Sequence, residues 1–208
     1  MTVVVTGATG HVGANLTRSL LAQGRRVRVL LHSDDDRGIE GLDVERVSGD
    51  VRDAAAVQRA FAGAEVVYHL AAHISIVKDD APTVHSVNVD GTRNVVAACL
   101  HNGVRRLLHF SSVHALRSDP EDQPIDEARA LADHDRALPY DRSKALGERE
   151  VLAGVQRGLD AVIVNPGAIL GPHDYRPSPL GEAVLMIARR RIPAVVQDRK
   201  STRLNSSH

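Results

Sequence analysis

Apolar positions cluster in short blocks along the chain. Val3-Val4-Val5, Arg26-Val27-Arg28-Val29-Leu30-Leu31, Glu65-Val66-Val67-Tyr68-His69-Leu70 and Ala161-Val162-Ile163-Val164 are the clearest, and longer stretches of mixed character separate them. A continuous apolar run bounded by turn residues reads as a strand buried on both faces, as in the last two of these. The pattern predicts strands near 2–6, 26–31, 44–48, 65–70, 105–110 and 160–165. It predicts helices near 11–23, 53–61, 83–101, 138–157 and 179–191, with Asn102-Gly103 as the stop signal of the third. Such regular alternation implies an α/β fold, a doubly wound parallel sheet with right-handed crossovers. Ligands bind such sheets outside the carboxyl ends of the strands. The loops that follow strands are therefore the candidate site.

The first of these loops is Thr6-Gly7-Ala8-Thr9-Gly10-His11-Val12-Gly13. Glycines allow a tight turn, close approach of backbone to phosphate, and close helix-on-strand packing. The helix N-terminus behind them offers N–H groups and a partial positive charge to an anion. The spacing G-x-x-G-x-x-G is one residue longer in its first gap than the dinucleotide fingerprint. Alone it also fits an ordinary strand–turn–helix. With a strand before it, a helix after it and a second strand at 26–31, it reads as a pyrophosphate cradle. Gly7, Thr9, Gly10, His11, Val12 and Gly13 are its candidate contacts.

The other loops are small or polar at the same edge. Gly49-Asp50-Val51-Arg52-Asp53 offers Asp50 as an acceptor for an adenine amino group, with Val51 beside it and Asp53 as a helix cap. Ala71-Ala72-His73 leaves room for a cofactor backbone. Phe110-Ser111-Ser112-Val113-His114 and Asn165-Pro166-Gly167-Ala168 complete the set. His114 is near enough to Ser112 to touch a substrate, although a plain loop histidine is the simpler reading. Downstream, Tyr140-Asp141-Arg142-Ser143-Lys144 puts a phenol and an ammonium on one helix face at i and i+4. A free phenol ionises near pH 10, and a neighbouring cation favours its phenolate. A phosphate cradle together with such a pair points to hydride chemistry on a bound nicotinamide.

Composition narrows the class. Residues 198–208 are polar and unpatterned, and they resemble the read-through translation of a common DNA-sequencing adapter. They are set aside as a non-native tail, the alternative being a natural disordered one. On that reading the natural protein continues past Gln197. Without the tail's Asp198, Arg199, Lys200 and Arg203, 23 basic and 25 acidic residues remain, a net charge of −2. That excludes a basic footprint for nucleic acid. No apolar run is long enough to span a membrane. One cysteine, Cys99, forbids an internal disulfide and fits the cytoplasm, and its apolar surroundings make it a buried small side chain. The 11 histidines show no metal-ligand spacing, so no metal is expected.

Taken in order, the glycine turn, Gly49-Asp50-Val51-Arg52-Asp53, His69-Leu70-Ala71-Ala72, Asn88-Val89-Asp90-Gly91-Thr92, Ser111-Ser112, Tyr140 with Lys144, and Asn165-Pro166-Gly167 resemble the extended short-chain dehydrogenases/reductases of the NAD-dependent epimerase/dehydratase family. The stretch from Arg28 to Val44 is similar to dihydroflavonol-reductase-like proteins and hopanoid-associated sugar epimerases. The resemblance implies a Rossmann fold: residues 1–197 as an NAD(P)-binding domain truncated at its C-terminus, with most substrate contacts missing. It implies that Tyr140 is the general acid/base, that Lys144 also holds the nicotinamide ribose, and that Ser112, the second of its pair, bonds the substrate oxygen. It adds Ala71, Ala72, Asn88 and Pro166 to the cofactor contacts. Where NAD-selective members often end the second strand in an acid, this chain reads Leu31-His32-Ser33. His32, Ser33 and Arg37 could meet a 2′-phosphate, although Asp34-Asp35-Asp36 stands close by; the balance favours NADP(H) over NAD(H). The implied activity is reduction or oxidation of a small molecule at a carbonyl or alcohol carbon. The alternatives are a sugar-nucleotide epimerase or dehydratase, and a non-catalytic NAD(P)-sensing regulator, which commonly lacks the Tyr–Lys pair. A homodimer through the helices near 83–101 and 138–157 is implied, with Val95, Val96, Ala97 and Ala98 suited to close packing. The fragment itself is expected to bind cofactor weakly, to turn nothing over and to dissolve poorly.

Overall fold

The computed structural model describes residues 1–75, 78–120, 122–175 and 178–191. Residues 192–197 and the tail at 198–208 lie outside the described residues. The chain divides into two compact units, Met1–Tyr175 and Arg176–His208. Among the described residues of the first, six strands form: β1 (Thr2–Thr6), β2 (Arg26–Leu31), β3 (Glu45–Ser48), β4 (Val66–His69), β5 (Arg106–Phe110) and β6 (Ala161–Val164). They pair in parallel in the order β3-β2-β1-β4-β5-β6. The strand order reverses between β1 and β4, and the crevice of a doubly wound sheet opens at that point.

Helices α1 (His11–Ala22), α2 (Ala54–Phe61), α3 (Ala81–His85), α4 (Gly91–His101) and α5 (Pro139–Gln156) belong to the same unit. Asp53 caps α2, accepting from the Ala55 and Ala56 N–H groups at 2.9 and 3.1 Å. Pro139 opens α5, where a missing N–H costs nothing. Helix α6 (Pro179–Ala188) is the described helix of the second unit, capped by Ser178. It stops at Ala188 where the sequence predicts 191. Among the described residues no helix is long and apolar enough to cross a membrane.

The sheet explains the apolar runs. Successive side chains point to opposite faces, so Val3 and Val5 join Ala8, Leu20, Val29 and Ile39 in one core. Val4 joins Val57, Phe61, Val95, Val96, Leu107 and Val151 in the other, beneath α2, α4 and α5. The pattern misleads at β6, the last strand among the described residues: Ala161 and Ile163 pack inward, but Val162 on the other face is 41% exposed. The predicted helix near 83–101 is also not continuous. A five-residue π-helical turn, Ser86–Asp90, separates α3 from α4. Val95, Val96 and Ala98 are buried within this chain rather than offered to a partner, leaving Ala97 exposed.

Two glycines in the first loop leave no room. Gly7 has φ +71°, and a Cβ there would lie 2.6 Å from the Ala71 nitrogen. A Cβ on Gly13 would lie 2.1 Å from the Gly7 carbonyl oxygen. Real Cβ atoms essentially never make contacts this short, so the turn is held backbone against backbone between β4 and α1.

Candidate active site

The glycine turn delivers α1 with no side chain closing its N-terminus. Gly10 is the cap residue, in extended conformation, and it makes no side-chain bond to the first-turn N–H groups. Those groups and the helix dipole can hold an anion. The His11 imidazole points elsewhere: its Nε2 lies 3.2 Å from the Gly171 carbonyl and its Nδ1 4.0 Å from Asp174. Asn15 donates to the Pro172 carbonyl at 2.7 Å, so segment 171–174 is tied to the first turns of α1. His11 can therefore serve an anion through its backbone only. The residues fit a dinucleotide: Gly7 and Gly13 let the turn pack backbone on backbone, and Gly10 caps α1 without a side chain over its first-turn N–H groups.

The loops around the cradle divide into those that open to it and those that do not. His32 and Ser33 are exposed at the end of β2. Arg37 is held by Asp35 through two hydrogen bonds of 2.9 and 2.7 Å. Arg52 likewise donates to both carboxylate oxygens of Asp50 and holds that carboxyl below its ordinary range. Ala72 is exposed and Ala71 half-buried, its N–H donating to Thr6 Oγ1 at 3.2 Å. Val51 turns its side chain into the core. Asn88 is buried, its Oδ1 accepting from the His73 N–H at 2.8 Å and its Nδ2 donating to the His73 carbonyl and to Ser143 Oγ, each at 2.9 Å. The sequence predicts Val51 and Asn88 as cofactor contacts; in the structure the Val51 side chain packs in the core and the Asn88 amide is bonded to His73 and Ser143. The Pro166 carbonyl accepts from the Val113 N–H at 3.1 Å and pins the serine loop.

The structure brings the serine, tyrosine and lysine together. Ser112 leaves the end of β5, Tyr140 lies in the first turn of α5, and Lys144 lies one turn further on. The hydroxyl that meets the Tyr140 phenol is that of Ser112; the Ser111 hydroxyl is buried without a partner. Burial pushes the Tyr140 phenol up, the Ser112 hydrogen bond pulls it down, and the charge of Asp141 pushes it up. The sequence predicts that Lys144 favours the phenolate. Its ammonium donates to the Phe110 carbonyl at 2.9 Å. Only 5% of Lys144 is exposed, and burial lowers it to about 8, with the charge of Glu148 opposing that fall. The His114 ring stands edge-on to Tyr140 at 6.3 Å between centroids. Among the described residues no cluster of metal-ligating side chains is present. Burial pushes the Cys99 thiol up to about 12, which fits a packed, unreactive side chain.

Comparison with known proteins decides the lineage. The profile of the NAD dependent epimerase/dehydratase family matches residues 3–201. The chain belongs to this family. It is 43% identical over 197 residues to sterol demethylase protein B of Methylococcus capsulatus, covering 94% of this chain and 60% of that protein. It is 39% identical over 193 residues to a Synechocystis protein provisionally named dihydroflavonol 4-reductase, covering 92% of this chain and 56% of that protein. The Thermus thermophilus UDP-glucose 4-epimerase, solved in complex with NAD, superposes with a TM-score of 0.76 at 30% identity, covering 89% of this chain and 61% of that one. The chain thus spans about 60% of the length of these relatives.

Within this epimerase/dehydratase frame, sequence reasoning missed a polar line through the sheet. Thr92 Oγ1 donates to the Asn88 carbonyl at 2.7 Å, so it can only accept from His69 Nε2, 3.1 Å away. His69 Nδ1 must then accept from Thr6 Oγ1 at 2.7 Å, and Thr6 in turn accepts from the Ala71 N–H. The imidazole is neutral with its proton on Nε2, which agrees with burial lowering it to about 3. The available signal was a histidine and two threonines placed in or beside apolar runs.

Lys144 makes a testable pH signature. Its folded value of about 8 lies below the 10.5 of a free lysine. Between these pH values the unfolded chain binds a proton that the folded chain has shed, so stability rises with pH. At about 1.4 kcal/mol per unit, the gain is about 3 kcal/mol across the window. Urea midpoints from about pH 7 to about pH 10 should show this rise for the wild type and lack it in Lys144→Met.

Proposed function

We propose that the whole protein containing this chain is an NAD(P)-dependent oxidoreductase acting at a carbonyl or alcohol carbon of a small molecule. The observation that carries this reading is the Ser112 hydroxyl on the Tyr140 phenol, with buried Lys144 one helical turn away, at the carboxyl ends of strands that also present an open anion cradle. The nicotinamide, when bound, supplies or takes up the hydride. Tyr140 gives a proton to the substrate oxygen during reduction and removes it during oxidation. Ser112 donates to the same oxygen and fixes its position. Lys144 binds the ribose and brings a positive charge to the site, where low exposure strengthens its field. Likeness to the Synechocystis protein supports a reductase. Likeness to the Thermus epimerase supports a second reading, in which hydride leaves and returns on one sugar nucleotide. Net consumption of NAD(P)H with substrate identifies the first, and redox-neutral conversion the second. The presence of both Tyr140 and Lys144 argues against a purely sensing role.

Tyr140→Phe should keep cofactor affinity within a few-fold, read by nucleotide fluorescence, and lower turnover of the whole protein about 10²–10⁴-fold. Unchanged turnover would remove the proposed mechanism.

The reading includes a preference for NADP(H). No acid ends β2, and a 2′-phosphate would take the Arg37 guanidinium from Asp35, with His32 and Ser33 alongside. Because Asp35 competes, the preference is modest, about threefold, or under about 1 kcal/mol. Titrations of both nucleotides should show it in the wild type and lose it in Arg37→Ala. Tighter NAD(H) binding by the wild type overturns it.

The reading also includes a homodimer built on the outer faces of α4 and α5, where Ala97, Leu152 and Val155 are exposed. Light scattering of the whole protein at micromolar concentration should give twice the chain mass, and a monomer overturns the dimer.

A further inference from the structure

Helix α5 turns a single stripe toward the ends of β5 and β6: Tyr140, Lys144 and Glu148, at i, i+4 and i+8. Each makes a polar tie to the serine loop. Tyr140 meets the Ser112 hydroxyl, and Lys144 donates to the Phe110 carbonyl at 2.9 Å. Glu148 reaches the loop through an intermediary. Its Oε1 accepts from Asn165 Nδ2 at 2.6 Å, and the same nitrogen donates to the Ser112 carbonyl at 3.0 Å. Glu148 is only 5% exposed. A carboxylate that far from water is costly unless hydrogen-bonded and close to a compensating charge. Replacing it with a leucine would be the ordinary solution for a helix face in a core.

The groups around Lys144 are few. On its own helix stand Tyr140, Asp141 and Glu148. From β4 and β5 come His69 and His109, both fully buried, with pKa values lowered by burial and by the lysine's charge. Among these, Glu148 is the group that favours the lysine's charged form. The loop is pinned on its other side by the Ser111 N–H donating to the Val164 carbonyl at 2.9 Å and the Val113 N–H donating to the Pro166 carbonyl at 3.1 Å. The Asn165 amide is the bridge from that pinned loop to the carboxylate on α5.

We infer that Glu148 and Asn165 are a positioning pair for the reaction: Glu148 keeps Lys144 charged, and Asn165 couples α5 to the Ser112 backbone so that the serine hydroxyl stays on the phenol. Neither residue touches the substrate. The assignment rests on the proposed oxidoreductase reading. Glu148 supplies charge and Asn165 supplies place, so the two roles separate by substitution. Glu148→Gln keeps an acceptor for the Asn165 amide and removes the charge. Asn165→Ala keeps the charge and removes the coupling.

The test follows the Lys144 side chain by NMR, its signal assigned with Lys144→Met, alongside steady-state kinetics of the whole protein. Glu148→Gln should move the lysine's titration midpoint down by about one pH unit and with it lower kcat about twofold near pH 7 and about tenfold near pH 9, with KM for the nucleotide changed less than about threefold. Asn165→Ala should leave the midpoint in place and lower kcat about tenfold. A merely structural carboxylate would not move the lysine's midpoint. An unmoved midpoint in Glu148→Gln, or wild-type kcat in both variants, overturns the assignment. Should Glu148→Gln fail to fold, the kcat-against-KM split in Asn165→Ala decides it. Turnover retained by Tyr140→Phe overturns the underlying reaction instead. Loss in Tyr140→Phe with wild-type behaviour of the other two variants overturns this pair alone.

Discussion

The absence of space at the first loop governs everything else in this fold. Gly7 and Gly13 let three backbones meet where any Cβ would collide: the turn after β1, the end of β4 and the first turn of α1. That contact sets how near α1 comes to the sheet, and so where its N–H groups stand. It places Ala71 against the turn, and the β4 end on the same level as the β1 end. Because β1 and β4 are adjacent and their connections leave in opposite directions, the level at which they meet becomes the floor of the crevice. The serine loop, two strands away, inherits its height through the parallel registers of β4 with β5 and β5 with β6.

A second constraint links that floor to the chemistry. The threonine–histidine–threonine line runs from the Ala71 amide to the Asn88 carbonyl, with every proton's direction determined. Asn88 passes the connection to Ser143, whose hydroxyl donates to the Tyr140 carbonyl at 2.7 Å. The cradle and the tyrosine are thus joined by consecutive hydrogen bonds through a region from which water is excluded. Buried networks of this kind are costly when incomplete and rigid when complete. This one is complete between its two ends.

Much of this was legible in the residues. Val3-Val4-Val5 announces a strand packed on both faces, and both cores receive it. The glycine turn and Tyr140 with Lys144 mark the two halves of the candidate site once their spacing is read with the strands that flank the turn and the Ser111-Ser112 strand end. What stayed hidden was whatever depends on partners distant in sequence. Val162 looks like its neighbours in composition, and only the fold shows that its face of β6, the last strand among the described residues, is left open. Val95 and Val96 suit a helix interface, and nothing local tells whether the helix they meet is in the same chain. The partners of Asn88 and Val51 were hidden too: the Asn88 amide bonds His73 and Ser143, and Val51 packs in the core. Helical spacing aims the Lys144 charge at the tyrosine, and its ammonium also donates to the Phe110 carbonyl, a geometry that no i, i+4 rule contains. Glu148 could have been found, since an acid on the buried stripe of a helix is an anomaly visible in sequence.

The π-helical turn at Ser86–Asp90 carries a consequence for how this segment can change over time. It amounts to one residue more than a regular helix needs between α3 and α4. Each residue of an α-helix turns the chain by about 100°. Deleting one residue here would therefore make a smoother helix and rotate everything ahead of it by more than a quarter of a circle, carrying Asn88 away from both His73 and Ser143. Chain length is therefore constrained here alongside the identity of Asn88, because a change in either breaks the same hydrogen bonds.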